Sequence, residues 1–275
     1  MALKTYKATT PSRRHKVIID RSGLTKRTLA SRGLLENKSK ITGRNSEGRI
    51  TVRHRGGGVK RKYRVIDFKR DKFDLVGKVI SIEYDPNRTV DIALLQYLDG
   101  EKRFILRPNG LKVGDAVISS KKEIPLEVGN ATLLKYIPSG IFVNNVELYP
   151  NRGGVLGRAA GAKIQVQGMS GKYCQLKLPS GEVRLVHGDC LATIGILSND
   201  EHMHENLGKA GTKRRKGIRP TVRGVVMGAP DHPHGGGEGR VGTGRPAKDK
   251  WGHKVGTRTR KNKRTTKFII KPRYK

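Results

Sequence analysis

Positive charge is concentrated at the two ends of this chain, and that distribution limits what each part can fold into. Residues 1–64 carry 19 basic and 3 acidic side chains, net +16, and residues 209–275 carry 21 and 3, net +18. Between them, residues 65–208 hold 18 basic and 17 acidic side chains, net +1. The two basic arms are punctuated by glycine and proline and show no sustained apolar periodicity, so neither can bury a core of its own. The total of +35 on 275 residues opposes a compact globule in isolation and points to a polyanionic partner. Aromatics make up 5% of the chain, too few for a base-stacking platform along its whole length. That favours contact with phosphates and with nucleic-acid shape over splayed single-stranded bases.

The neutral middle reads as β throughout. Tyr63–Phe68, Leu75–Tyr84, Thr89–Leu95 and Arg103–Leu106 are short β-rich runs separated by turn signals at Asp85-Pro86-Asn87 and Leu98-Asp99-Gly100-Glu101. A second set begins near Leu133 and includes Asn145–Tyr149, Lys163–Gln167, Tyr173–Leu178 and, after the turn at Pro179-Ser180-Gly181, Glu182–Val186. Strands at this spacing predict small barrels or sandwiches rather than βαβ units. The seam falls within residues 121–130, where Pro125 and Gly129 interrupt the apolar runs. Each half is then small enough that a lone core is marginal, and the two are expected to lean on each other or on the partner. Residues 65–208 are expected to fold without that partner, with both arms unstructured in the free protein.

The N-terminal arm closes on Arg53, His54, Arg55, Gly56, Gly57 and Gly58, followed by Lys60, Arg61 and Lys62. A triple glycine lets basic side chains on both sides converge, but the G-x-x-x-x-G-K-[ST] spacing of a nucleotide-binding P-loop is absent. The C-terminal arm opens with Lys213, Arg214, Arg215 and Lys216, then Arg219 and Arg223. Its centre is the run His232-Pro233-His234-Gly235-Gly236-Gly237-Glu238-Gly239-Arg240. Further along stand Arg245, Arg258, Arg260, Lys261, Lys263 and Arg264. Without an amphipathic helix to accompany the charge, nucleic acid is favoured over a membrane surface. RNA is favoured over DNA because no helix-turn-helix, zinc finger or basic zipper is present, and barrels with threading arms suit irregular folded RNA. A DNA-compacting architectural protein is the competing class.

Several chemistries can be weighed against these residues. A histidine followed by three glycines resembles the oxyanion loop of esterases, which needs a G-x-S-x-G nucleophile elbow. Gly168-Met169-Ser170-Gly171-Lys172 comes nearest and lacks the final glycine. His202, His204, His232 and His234 show none of the Cys/His spacings of zinc sites. Asp231 and His232 are adjacent in sequence, which makes no catalytic pair. The cysteines, Cys174 and Cys190, are read as reduced, buried thiols. No apolar run approaches the length of a membrane span, and residues 1–16 lack the apolar segment of a secretory signal.

Lys216-Gly217-Ile218-Arg219-Pro220-Thr221-Val222-Arg223-Gly224 and the run from Asp231 to Arg240 closely resemble the signature of a family, the universal second protein of the large ribosomal subunit in its bacterial or organellar form. The likeness extends over Tyr6-Lys7, Gly43-Arg44-Asn45, Arg53–Gly58, Tyr84-Asp85-Pro86-Asn87-Arg88, Ser180–Arg184, Asn206–Gly211 and Trp251-Gly252. It implies a mainly β chain: a basic extension over 1–48, an OB-like barrel over 49–125, an SH3-like barrel over 126–208 and a glycine-rich basic extension over 209–275. It also implies a structural, non-enzymatic binder of 23S-type rRNA that supports subunit association, tRNA binding and assembly of the peptidyl transferase centre. The implied partners are large-subunit rRNA, neighbouring ribosomal proteins and the small subunit, with no membrane and no homo-oligomer. The implied location is the ribosome, cytoplasmic or organellar. No resident cofactor or metal is implied, although Mg2+ can accompany the RNA. Direct participation of His232 or His234 in peptidyl transfer is the alternative. Two positions depart from the family pattern: Arg215 stands where tryptophan is common and Gly228 where asparagine is usual.

Overall fold

A computed structural model describes residues 3–26, 29–39, 42–239, 242–257, 260 and 262–273. The chain divides into two compact units. One comprises Met1–Ser39, Lys60–Lys209 and Thr265–Lys275; the other comprises Lys40–Val59 and Ala210–Arg264.

Among the described residues, the first unit holds every strand. Strands β1 (Leu3–Thr5) and β2 (Val17–Ile19) pair antiparallel across the short helix α1 (Pro11–Arg14), and β3 (Leu35–Asn37) pairs with β4 (Lys62–Arg64). Next come β5 (Gly77–Glu83), β6 (Ile92–Tyr97), β7 (Lys102–Leu106) and β8 (Ala116–Val117), an antiparallel sheet ordered β7-β6-β5-β8. The β6 sequence Ile-Ala-Leu-Leu-Gln-Tyr is almost continuously apolar because both faces are covered. Ile92 and Leu94 enter one cluster with Val90, Phe104 and Leu106. Ala93, Leu95 and Tyr97 enter another with Val79, Ile105 and Val117. A register shift between Val79 and Ser81 bends β5, the usual effect of a bulge on a curling sheet.

The second set is β9 (Ala131–Leu133), β10 (Phe142–Asn144), β11 (Val146–Glu147), β12 (Gly154–Leu156), β13 (Ile164–Ser170), β14 (Tyr173–Lys177), β15 (Val183–His187), β16 (Leu191–Ile194) and β17 (Ile269–Lys271). Seven of these form one sheet, ordered β17-β15-β14-β13-β10-β16-β9, while β11 pairs with β12. Alternate residues of β13 and β14 (Ile164, Val166, Cys174, Leu176) meet Val143, Val186 and Ile194 in a single core. The fold is mainly β with curled sheets, in keeping with an OB-like barrel followed by an SH3-like barrel. Cys174 and Cys190 are free and buried in the second core, and burial pushes their thiols up to about 11 and about 12 respectively.

Buried polar groups tie the barrels together. The Arg70 guanidinium donates from Nε to Ser119 Oγ at 3.0 Å and from Nη2 to the Gly129 carbonyl at 3.2 Å, and its burial lowers its pKa. Pro108 bridges Leu197, and the Asn109 amide donates to the Ile196 carbonyl at 2.6 Å. Within the second barrel the buried Glu147 carboxylate accepts from the amides of Asn151, Gly153 and Leu191 at 3.1, 2.7 and 3.0 Å. Satisfying a buried carboxylate with three amides keeps the cost of its desolvation down.

Both chain ends contribute to this unit. β17 pairs with β15, Val17 bridges Asn206, and Leu24 and Leu34 pack against the two clusters of the first barrel. The arms are therefore irregular in part only. Among the described residues no helix is long and apolar enough to cross a membrane.

The second unit is built differently. It contains the helix α2 (Ala210–Arg215), isolated bridges and turns, and among its described residues there is no buried hydrophobic side chain. Helix α3 (Lys263–Thr266) lies at its C-terminal limit.

Candidate nucleic-acid interface

Two basic segments more than 150 residues apart in sequence pair with each other in the second unit. The Gly56 amide donates to the Gly217 carbonyl at 3.1 Å, Val59 to Arg215 at 3.0 Å, and Arg219 to His54 at 3.0 Å; Arg55 bridges Ile218. The glycines permit this approach. Gly58 has φ +86, and a Cβ there would lie 3.0 Å from the Arg215 carbonyl oxygen and from Gly217 N and Cα. Around this pairing Arg53, Arg55, Lys213, Arg214, Arg215, Lys216 and Arg219 are all exposed. The pairing thus concentrates cations from both arms on one short backbone ladder, a strong local positive field.

The histidine run forms a closed loop in the same unit. The Gly235 amide donates to the His232 carbonyl at 2.8 Å and the Gly236 amide to the Met227 carbonyl at 3.1 Å. A Cβ on Gly235 would come within 2.2 Å of the Gly228 oxygen, and one on Gly224 within 2.4 Å of the His232 ring. The two imidazoles lie 5.3 Å apart between centroids. His232 Nδ1 accepts from the His234 amide at 3.0 Å, and His234 Nε2 accepts from the Lys248 amide at 2.8 Å. A ring nitrogen that accepts carries no proton, so neutral His232 holds its proton on Nε2 and neutral His234 on Nδ1. The second of these nitrogens is buried. Both histidines therefore act first as fasteners of the loop.

Beyond the loop, Asp249 organises a hairpin tip. Its carboxylate accepts from the Trp251 and His253 amides at 3.0 and 2.8 Å and lies 3.0 Å from His253 Nδ1. This leaves Trp251 exposed, with the Arg53 guanidinium 5.9 Å from its ring centroid. Arg223, Arg245, Arg260, Lys263 and Arg264 are exposed, as are Gly236 and Gly237. Arg240, Arg258 and Lys261 lie outside the described residues.

Lys60, Arg61 and Lys62 belong to the first unit. There the Tyr84–Arg88 turn organises the last two: Arg61 donates to the Pro86 carbonyl at 2.8 Å, and Asn87 Nδ2 to the Lys62 carbonyl at 2.7 Å. Asp85, fully buried, anchors the turn by receiving Arg88 Nε at 2.5 Å, with Arg64 at 3.5 Å. Arg21 sits over the Tyr84 ring at 3.8 Å. The candidate residues thus fall into two groups, one in each unit. Arg88, Arg158 and Trp251 are not among the candidate contacts drawn from the sequence, although Arg88 and Trp251 lie in motifs that carry the family resemblance. The near-zero net charge of the middle hides the first two, since carboxylates elsewhere cancel them in the count. Trp251 could have been found as the lone tryptophan, in a polar turn.

Residues 31–119 match the family described as Ribosomal Proteins L2, RNA binding N-terminal domain, and residues 127–252 match Ribosomal Proteins L2, C-terminal domain. The chain belongs to the ribosomal protein L2 family. Its relatives include the large ribosomal subunit protein uL2 of Allorhizobium ampelinum, 54% identical over 275 residues, covering 100% of this chain and 99% of the relative. The uL2 proteins of Paracoccus denitrificans and Maricaulis maris are 53% and 52% identical, each covering 100% of this chain and 98% of its own length. Among the described residues of this L2 family member, no group of three or more His, Cys, Asp or Glu side chains is arranged to hold a metal ion.

Proposed function

We infer that the chain is a structural constituent of the large ribosomal subunit that binds 23S-type rRNA, chiefly through the cations gathered in its second unit. The carrying observation is the pairing of His54–Val59 with Arg215–Arg219, which concentrates basic side chains in a unit with no buried hydrophobic side chain among its described residues. A surface of that kind is completed by a polyanion, and release of the polyanion's counterions drives the association. On this reading Arg53, Arg55, Lys213, Arg214, Arg215, Lys216, Arg219 and Arg223 contact phosphates. The glycines of both runs bring backbone close to RNA, and His232 and His234 hold their loop against it. Subunit association, tRNA binding and assembly of the peptidyl transferase centre follow from that placement. So do contacts with neighbouring ribosomal proteins and a ribosome-bound location, and Mg2+ enters with the RNA.

The protein acts here as scaffold and not as catalyst. The ring nitrogens of His232 and His234 that lack a proton are both engaged by backbone amides, so neither neutral ring presents a free base. Affinity for a folded rRNA fragment should fall about a thousandfold or more between roughly 50 and 200 mM salt if six or more phosphates are engaged; a flat dependence contradicts the reading. Fully assembled particles carrying His234→Gln should still form peptide bonds. Loss of chemistry in such particles would favour the catalytic alternative.

A further inference from the structure

The first unit carries a second constellation with a different chemistry. Phe68 follows the β4 segment and is half-buried, packed against the first barrel's core. Arg158 lies over that ring, with its guanidinium carbon 4.4 Å from the centroid, and Arg88 lies 5.7 Å from the same centroid. Arg88 is also 5.8 Å from the Tyr63 centroid, and Lys38 is 4.9 Å from it. Cations and rings therefore alternate in the order Arg158, Phe68, Arg88, Tyr63, Lys38. Arg158 is fixed by donation to the Gly154 carbonyl at 3.1 Å, and Arg88 by the buried Asp85.

Beside this ladder opens a groove of about 570 Å³, lined by Phe68, Val65 and Val155 together with five basic and three acidic side chains. The acids are Asp67, Asp71 and Glu101, and all three are held by Arg103. Burial works against the Arg103 cation, but these three carboxylates together raise its pKa well above the ordinary value. All three carboxylates are thus paired, Glu101 with Lys72 as well, and five basic against three acidic side chains leave the lining net positive. Lys69, Lys102, Arg152 and Arg158 make no ion pair with a carboxylate among the described residues. A flat cation over an aromatic ring, with lysines nearby and an apolar floor, suits a planar base joined to a phosphate. The volume falls within the range of small-ligand pockets, about 300 to 1,000 Å³.

We propose that this groove takes one unpaired nucleotide of RNA, its base stacked on Arg158 over Phe68 and its phosphate met by Lys69, Lys102 or Arg152. The site goes beyond phosphate binding by the second unit, and it rests on the rRNA-binding reading for its source of RNA. An acidic peptide would use the cations but not the stack.

The test uses the full-length protein bound to a large-subunit rRNA fragment containing 4-thiouridine, photocrosslinked and mapped by mass spectrometry, with overall affinity measured in parallel. Nucleotide adducts are expected on peptides containing Phe68 or residues 152–158. Arg158→Gln should reduce their yield by about tenfold while overall affinity stays within about threefold, since most phosphate contacts are elsewhere. A Lys69→Gln variant, also at the surface, should lower yield without changing the peptides that crosslink. Crosslinks confined to other parts of the chain, with affinity intact, would overturn the groove proposal and leave the rRNA-binding reading standing. Equal yield from Arg158→Gln, or displacement of the crosslink by hexaglutamate as readily as by a hexaribonucleotide, would overturn it too. Absence of rRNA binding would bring down both.

Discussion

The two units of this protein are held together by different forces. In the first, side chains such as Leu94, Leu95, Phe104, Ile164 and Leu176 are fully buried in three apolar clusters. In the second, Ile50, Val52, Val59, Val222, Val226 and Val255 are all more than half exposed. Its order comes from backbone hydrogen bonds and from glycines that let strands of backbone touch. Burial supplies most of the free energy of an autonomous fold, whereas exposed backbone pairing contributes little net stability in water. The first unit is therefore a folded body, and on the proposed function the second is a shape that a polyanion completes.

Truncating one apolar residue in each unit should separate the two most sharply. Phe104→Ala should cost the first unit about 3–5 kcal/mol in urea unfolding, whereas Val226→Ala should change stability by no more than about 0.5 kcal/mol. Comparable losses would mean that the second unit has a core after all. Glycine substitutions come next. Gly235→Ala places a methyl where the Gly228 carbonyl oxygen already sits; overpacking of that kind should weaken rRNA binding about tenfold and leave the first unit's unfolding midpoint unchanged. Gly211→Ala, in α2 with open space around it, should leave binding unchanged.

A pH effect of intermediate size belongs to the first unit alone. The thiols of Cys174 and Cys190 ordinarily titrate near 9 and are pushed up to about 11 and about 12 by burial. A group with a raised folded-state pKa stabilises fully below its unfolded pKa and loses that contribution as pH rises through the folded value. Stability of the first unit should thus decline between pH 9 and 12, and the native thiols should be inert to disulfide reagents at pH 8 until denaturant is added. Rapid labelling of native protein would contradict this. The smallest effect is at the exposed Lys135–Asp189 pair, 3.0 Å apart; Lys135→Ala should shift stability by less than about 1 kcal/mol, as read from the urea midpoint.

Much of the first unit was legible because its signals are local. The alternation in β13 and β14, the continuous apolar run of β6 and the turn at Leu98-Asp99-Gly100-Glu101 each follow from a few neighbouring residues. The Gly100 amide indeed closes that turn onto the Tyr97 carbonyl at 3.0 Å. The strand β17 was hidden for the opposite reason. Phe268, Ile269 and Ile270 are a short apolar run in a basic tail, and their partner, β15, is some 80 residues away. The interface was legible in composition but not in pairing. Nothing near Gly56 or Gly58 announces that they meet Arg215–Gly217, and nothing near His234 announces that Lys248 fixes its ring. Arg88 and Arg158 were invisible to a charge count for another reason: the count averages over residues that the fold separates.

Whether one unit folds by itself and the other is completed by RNA is read most directly by hydrogen exchange on the free protein and on its complex with a large-subunit rRNA fragment. The amides of Leu94, Leu95 and Leu176 should be strongly protected in both. Those of Gly56, Val59 and Arg219 should exchange rapidly in the free protein and slow down only when the fragment is bound. Protection of Gly56 and Val59 equal to that of Leu94 without RNA would contradict it.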